Sequence, residues 1–348
     1  MKKAFLLFWG YNERAVLALL RYFTHYNVDF YIVTPADDDQ IERSIYANKI
    51  IYKRCDSTLT AELFQAISEK FDGQLIYCPT TEFLNKYLLE NRINENIKIN
   101  LPTTEVYEKL TSKLLSQEIV KNIPGIYIPK TLTNGDIKTP YVLKPRRNIS
   151  SDKTFYPYIC LTQKDFCDFS TQQSLKDYFA QEYIDGESYY LCGYLTKDKK
   201  FFSYWQKNLL QQGNGKSIIL AKTCTNPGLD EKAYIETIHG LGFFGPIMIE
   251  LMKRQNKLYY IEINPRFWGP LHLSVTNCPD LLGAFVTDNL GMNINTERKS
   301  SPLKYYSWSD GLAGNQHPRK YCIIQKKKLE RILKVYDIYS KEKYSDLI

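Results

Sequence analysis

Between Tyr259 and Gly269 the chain reads Tyr-Tyr-Ile-Glu-Ile-Asn-Pro-Arg-Phe-Trp-Gly. The first residues alternate as a strand does, so Glu262 and Asn264 sit two apart and face the same side. Two hard oxygen donors on one face, followed by Arg266, suit Mg²⁺ and phosphate. Pro265 ends regular pairing and leaves Arg266 near the open end of the strand. Taken alone, the spacing also fits an ordinary edge strand with an outward Glu and Asn. A second segment, Tyr141-Val142-Leu143-Lys144-Pro145-Arg146-Arg147, sets a Lys at the end of an apolar strand. There the stem is buried and the ammonium presented, which fixes a cation against phosphate. A snorkelling edge Lys is the plainer alternative. No Ser/His/Asp or Cys/His arrangement competes, because His25, His239, His272 and His317 are scattered.

The elements around these segments read as an α/β chain. Ala4 to Trp9 is an apolar run expected of a buried parallel strand. Gly10-Tyr11-Asn12 is a turn, Glu13 to Tyr26 a helix with one apolar face, and Asp29 to Thr34 a second strand. This strand–turn–helix–strand unit predicts a βαβ start of an open parallel sheet, without a G-x-G-x-x-G fingerprint. Gln74 to Cys78 is a further strand. Thr80-Thr81-Glu82 at its carboxyl end either lies where open sheets place ligands or caps the helix Glu82 to Asn91. Val106 to Asn122 reads as one helix that carries Lys109, Lys113 and Lys121; by composition alone these lysines are solvated. Asp185-Gly186 reads as a hairpin turn. Ser188 to Leu195 and Phe201 to Trp205 are strands, and Gln206 to Lys216 a loop able to carry Lys207 or Lys216 to a substrate. Gly242 to Leu251 predicts a strand paired with the Glu262 segment across an Asn256-Lys257 turn. Tyr305 to Trp308 reads as a strand, and Lys326 to Ile338 as a charged helix.

Composition bounds the function. The length of 348 residues is enough for two or three subdomains with a real core. Apolar content of 44% with 14% aromatic excludes a disordered chain. The formal net charge is +8, and the only dense basic cluster is Lys326-Lys327-Lys328. That predicts no nucleic-acid partner and suits a protein that holds anionic small molecules. None of the eight Cys forms a C-x-x-C pair, which argues against a zinc knuckle and for a reducing cytoplasm. The apolar run that begins the chain is short and closely followed by Glu13 and Arg14, so it does not read as a signal peptide. No stretch reads as a membrane span.

Ile261-Glu262-Ile263-Asn264-Pro265-Arg266 resembles the metal-binding signature of the ATP-grasp superfamily, which includes D-alanine–D-alanine ligase, biotin carboxylase and the large subunit of carbamoyl phosphate synthetase. The resemblance covers roughly residues 1 to 295. Phe267-Trp268-Gly269-Pro270-Leu271-His272-Leu273 is most similar to a subgroup of carboxylate–amine ligases of mostly unassigned substrate. The resemblance implies a Rossmann-like N-terminal domain (1–103) followed by a two-part ATP-grasp fold. That fold comprises a small subdomain (104–185) and a catalytic subdomain (186–295), and residues 296–348 form an extension of unknown role. It also implies site residues. Glu250, Glu262 and Asn264 would hold Mg²⁺, with Mn²⁺ as a substitute. Lys113, in a Ser-Lys where relatives have Asp-Lys, and Lys144 would approach the phosphates of ATP. Ser150 and Ser151 occupy the phosphate-covering loop, where relatives carry several Gly and this chain has none. Gln181, Glu182, Tyr183 and Ile184 would form the hinge that reads adenine, and Glu187 would accept from the ribose hydroxyls. Arg266, with Lys144, would stabilise the transferring group. The implied reaction is ADP-forming ligation of a small-molecule carboxylate to an amine (or thiol) through an acyl phosphate, with an amino acid among the expected substrates. A small-molecule kinase and a non-catalytic nucleotide-binding module are the alternatives. A homodimer is a family-level expectation.

Overall fold

The computed structural model describes residues 1–133, 136–149, 154–296, 305–313, 318–340 and 344–347. The expected Ser150 and Ser151 contacts lie outside the described residues. Among the described residues the chain builds three sheets.

The first sheet is parallel and has the order β3-β2-β1-β4-β5, formed by β1 (Lys3–Phe8), β2 (Phe30–Pro35), β3 (Ile50–Arg54), β4 (Gln74–Tyr77) and β5 (Ile97–Lys98). Phe5 to Phe8 are wholly buried, as a central strand covered on both faces must be. This is the expected Rossmann-like unit. Thr81 caps the helix Glu82–Glu90 by accepting from Leu84 N at 3.1 Å, and Thr103 likewise caps Thr104–Thr111.

The large sheet is mainly antiparallel. It opens with β6 (Ile126–Tyr127), whereas β7 (Thr131–Leu132), β8 (Tyr141–Pro145), β9 (Tyr158–Cys160) and β10 (Tyr178–Glu182) make the small sheet. Then come β11 (Glu187–Leu195), β12 (Phe201–Gln211), β13 (Ile218–Cys224), β14 (Gly245–Arg254), β15 (Lys257–Asn264), β16 (Tyr306–Ser307) and β17 (Arg319–Lys320). The order is β16-β13-β12-β11-β14-β15-β6, with β17 added beside β12.

Three features differ from the sequence reading. The helix expected over Val106 to Asn122 is broken at Ser112, whose extended backbone (φ −68°, ψ 120°) ends Thr104–Thr111 and whose hydroxyl caps Lys113–Val120. A Ser that competes for backbone N–H groups favours such a restart, and it places Lys113 at the first position of a new helix. Residues 104–127, grouped by sequence with the small subdomain, pack on β15 or pair with it through β6. Finally, β12 runs through Gln211, so the expected loop is confined to the residues after it.

One apolar cluster ties the parallel sheet to the large one. It joins Phe5, Trp9, Leu19 and Phe23 to Tyr190, Tyr204, Phe267, Trp268 and Phe285. The Phe5 and Phe285 rings stack at 4.8 Å. The C-terminal residues add a polar clasp: Arg21 grips Asp346 through Nε (2.6 Å) and Nη2 (2.9 Å), and Tyr46 OH donates to the same carboxylate at 2.9 Å. Among the described residues no helix is long and apolar enough to cross a membrane.

The clasp predicts a pH-dependent stability. Burial opposes the charge of Asp346, but the bonds from Arg21 and Tyr46 override it and lower the carboxyl pKa. The contribution is therefore present above the unfolded carboxyl pKa and is lost as pH falls through the lower folded value. Asp346→Ala leaves Arg21 uncompensated, for a cost of about 3 kcal/mol. Urea denaturation of both forms should show the gap at pH 7 and its narrowing toward pH 3.

Candidate active site

A cleft of about 560 Å³ opens among the three sheets, lined by the carboxyl ends of β1 and β4, the end of β8, the hinge after β10 and the inner faces of β14 and β15. Its floor is the β14–β15 hairpin. Glu250 and Glu262 are direct register partners, so two carboxylates oppose each other on one rung. Between this rung and the Leu251–Tyr260 pair, β15 carries an extra residue, Ile261. Such a bulge reverses the in–out phase of a strand. Leu258 and Tyr260 pack with the helices behind the sheet, as does Ile263. Ile261, Glu262 and Asn264 all line the cleft. The bulge also frees the Ile261 carbonyl, and Lys144 Nζ donates to it at 2.9 Å.

The cations converge on the hairpin. Lys113, 3% exposed, ion-pairs with Glu262 Oε2 from the start of its helix. Asn264 Nδ2 donates to Glu262 Oε1 at 2.7 Å, and Arg266 Nη2 donates to Asn264 Oδ1 at 3.1 Å. Burial works against the charge of Glu262, but Lys113, then Asn264 and Lys144, hold its pKa low. Glu250 moves the other way, pushed up by burial and by the charge of Glu262. Burial and the nearby Lys113 lower Lys144 to about 8. Two opposed carboxylates with an amide oxygen beside them are a hard-oxygen donor set, and the raised Glu250 marks repulsion that a divalent cation relieves. The residues therefore fit Mg²⁺. A cation that takes Glu262 must displace Lys113 or Asn264 from its oxygens.

The hinge residues are also in the cleft. Gln181, 1% exposed, donates through Nε2 to Pro129 O at 3.0 Å. Glu182 is held by Arg254 Nη2 at 2.7 Å and by Lys130 N. Tyr183 lies beside Arg319, whose Nη2 donates to Ile184 O at 3.1 Å. Thus Lys113, Lys144, Gln181, Glu182, Tyr183, Ile184, Glu250, Glu262, Asn264 and Arg266 all reach one space.

Glu187 does not. It sits on the first rung of β11, where alternation turns Tyr190 into the cleft and Tyr189 toward the helices behind the sheet. Its carboxylate pairs with Lys207 and accepts from Tyr189 OH at 2.6 Å. The ribose contact expected of Glu187 is thus not supported, and Lys207 leaves the cleft with it. Lys216 does line the cleft. The sequence reading missed Asn12, Arg14 and Arg319 as cleft residues. The position of Asn12 and Arg14 just after the first strand was a usable signal. Arg319 had none, since β17 reaches the cleft only by pairing with β12.

No protein-family model matches the chain, and no curated protein matches it in sequence. Its structure is similar to solved ones. Biotin carboxylase from Campylobacter jejuni, solved as a β,γ-ATP complex, matches with a TM-score of 0.62 at 14% identity, over 86% of this chain and 73% of that one. The biotin carboxylase domain of 2-oxoglutarate carboxylase from Hydrogenobacter thermophilus, solved with MgADP and bicarbonate, matches with a TM-score of 0.62 at 13% identity, over 86% and 73%. N5-carboxyaminoimidazole ribonucleotide synthetase from Thermus thermophilus matches with a TM-score of 0.57 at 12% identity, over 86% and 81%. With its parallel N-terminal sheet, its small sheet and the carboxylate-bearing hairpin of its large sheet, the chain has the ATP-grasp fold.

Proposed function

We propose that this protein is an ATP-dependent, ADP-forming ligase that joins a carboxylate to an amine. The observation that carries the reading is the hairpin rung of Glu250 and Glu262, with Asn264 beside it and Lys113, Lys144 and Arg266 converging on the same cleft. The likeness to a β,γ-ATP complex and to a MgADP–bicarbonate complex supports it.

ATP lies with its base toward the hinge of Gln181 to Ile184 and its phosphates toward Lys144 and Lys113. Glu250, Glu262 and Asn264 would hold Mg²⁺, which when bound would neutralise phosphate charge. A substrate carboxylate oxygen attacks the γ-phosphorus. The new P–O bond gives an acyl phosphate, and the bond to the bridging oxygen breaks to release ADP. A neutral amine then attacks the acyl carbon, phosphate leaves, and the amine proton passes to solvent or phosphate. A free carboxylate resists amines because it is a poor electrophile, and phosphorylation supplies the leaving group. The protein contributes position and charge: Arg266 faces the charge that builds on the transferring group, and the lysines hold the polyphosphate in line.

ADP release from Mg-ATP over pools of carboxylic acids and amines, with mass spectrometry of the products, tests the reading. ADP release should need both an acid and an amine and give an amide mass, and Glu262→Ala should abolish it. A phosphorylated end product in place of an amide would establish a kinase. Arg266→Ala should lower kcat about a hundredfold or more, as expected for a lost donor to transition-state charge.

Nucleotide affinity should also depend on pH. Lys144 is cationic below about 8 and loses its charge above it. Binding of a non-hydrolysable ATP analogue should therefore weaken above pH 8. It should weaken again toward acid, as the raised carboxyl of Glu250 takes up a proton and releases the metal. Titration calorimetry from pH 6 to 9 reads both limbs, and Lys144→Arg should remove the alkaline one.

A further inference from the structure

The parallel sheet changes direction of winding between β1 and β4, and its ligand crevice opens at their carboxyl ends. Both loops there line the cleft. The helix Glu13–His25 begins in this crevice with no side-chain cap; the Asn12 side chain instead donates through Nδ2 to Thr80 O (3.0 Å) and Phe267 O (3.4 Å). Thr80 is fully buried, and its hydroxyl has no hydrogen-bond partner among the described residues.

Arg14 stands over the same crevice. Its Nη1 donates to Ile218 O at 3.1 Å and to Tyr306 OH at 3.4 Å, its Nη2 donates to Ser217 Oγ at 2.9 Å, and its guanidinium stacks on Trp308 at 4.0 Å. A guanidinium has five N–H donors. The Nε–H and one Nη2–H have no hydrogen-bond partner among the described residues, and Nε with Nη2 is an edge of the kind that grips a carboxylate bidentately. Among the described residues no carboxylate lies within ion-pair distance of Arg14. The position is built rather than incidental: a Cβ on Gly269 would lie 2.7 Å from Arg14 Cζ, so the Gly after Trp268 makes the room Arg14 occupies.

We propose that this crevice anchors a second, non-reacting carboxylate of the substrate. Arg14 grips it with its free edge, and Thr80 and the first N–H groups of the uncapped helix supply further donors, while Arg266 faces the carboxylate that is phosphorylated. The substrate class is a small dicarboxylate or an acidic amino acid. This rests on the ligase reading and assigns its acid. Lys113, Lys144 and Arg266 already converge on the metal-binding hairpin, whereas Arg14 lies beyond Gly269 and carries a charge that the polyphosphate does not explain.

The test titrates succinate, glutarate, L-aspartate and L-glutamate, against butyrate and valerate, into the full chain saturated with Mg²⁺ and a non-hydrolysable ATP analogue. At least one dianion should bind about tenfold or more tightly than the monocarboxylate of equal length. Arg14→Gln should erase that margin, Arg14→Lys should keep part of it, and Gly269→Ala, which displaces Arg14, should reduce it in a chain that retains the arginine. In turnover with hydroxylamine as the amine, Arg14→Gln should raise KM for the dicarboxylate and leave kcat and the KM for ATP unchanged. Equal binding of mono- and dicarboxylates, no binding of any dianion, or a margin that survives Arg14→Gln would overturn the proposal. Hydroxamates formed as well from monocarboxylates would sink the anchor and leave the ligase standing. Arg14-dependent dianion binding without any hydroxamate would sink the ligase and leave the anchor.

Discussion

Glu250 and Glu262 face each other across one rung of a largely buried hairpin. Two carboxylates in such a place repel each other and lose hydration, so neither can stay charged without cations nearby. Much of the surrounding architecture answers that constraint. Lys113 arrives from a helix that restarts at Ser112, Lys144 from the end of β8, and Arg266 from the turn that follows β15. The outcome is asymmetric: Glu262 is held charged by Lys113 and Asn264, while Glu250 is left with its proton affinity raised. A pair of acids split in this way marks the rung as a candidate functional site.

The bulge at Ile261 is the local device that makes this arrangement possible. Without it, regular alternation from Tyr259 would turn Glu262 and Asn264 away from the face that Tyr259 and Ile261 share. With it, the carboxylate joins that face, and a backbone carbonyl is released for Lys144. One inserted residue thus supplies both the position of Glu262 and an acceptor for a buried ammonium.

The described residues after 296 belong to this machinery as much as to the exterior. β16 and β17 extend the large sheet, Arg319 reaches the hinge at Ile184, and Tyr306 and Trp308 hold Arg14. Asp346 clasps Arg21. The cleft wall is therefore assembled from three distant parts of the chain, and its polar residues are fixed by partners far away in sequence. Fold alone does not choose a substrate. Among the cations that line the cleft, Arg14 is held by Ser217, Ile218 and Trp308 and not by the hairpin.

The sequence by itself determined the parallel start, the carboxylate hairpin and the lysine-ended strand, because these depend on periods of two and on local turn chemistry. It also determined that Glu262 and Asn264 share a face, since the bulge precedes both. What it could not carry was any relation between segments. Glu187 was misplaced because a residue beside a turn has no intrinsic face until β11 pairs with β12 and β14. The break at Ser112 was hidden because Ser is tolerated in a helix and becomes a cap only when the next helix packs against β15. Arg14 looked like a charged first-turn residue. Only the tertiary structure set it over Gly269 and against Trp308, because the contacts that orient a guanidinium come from residues more than two hundred positions away.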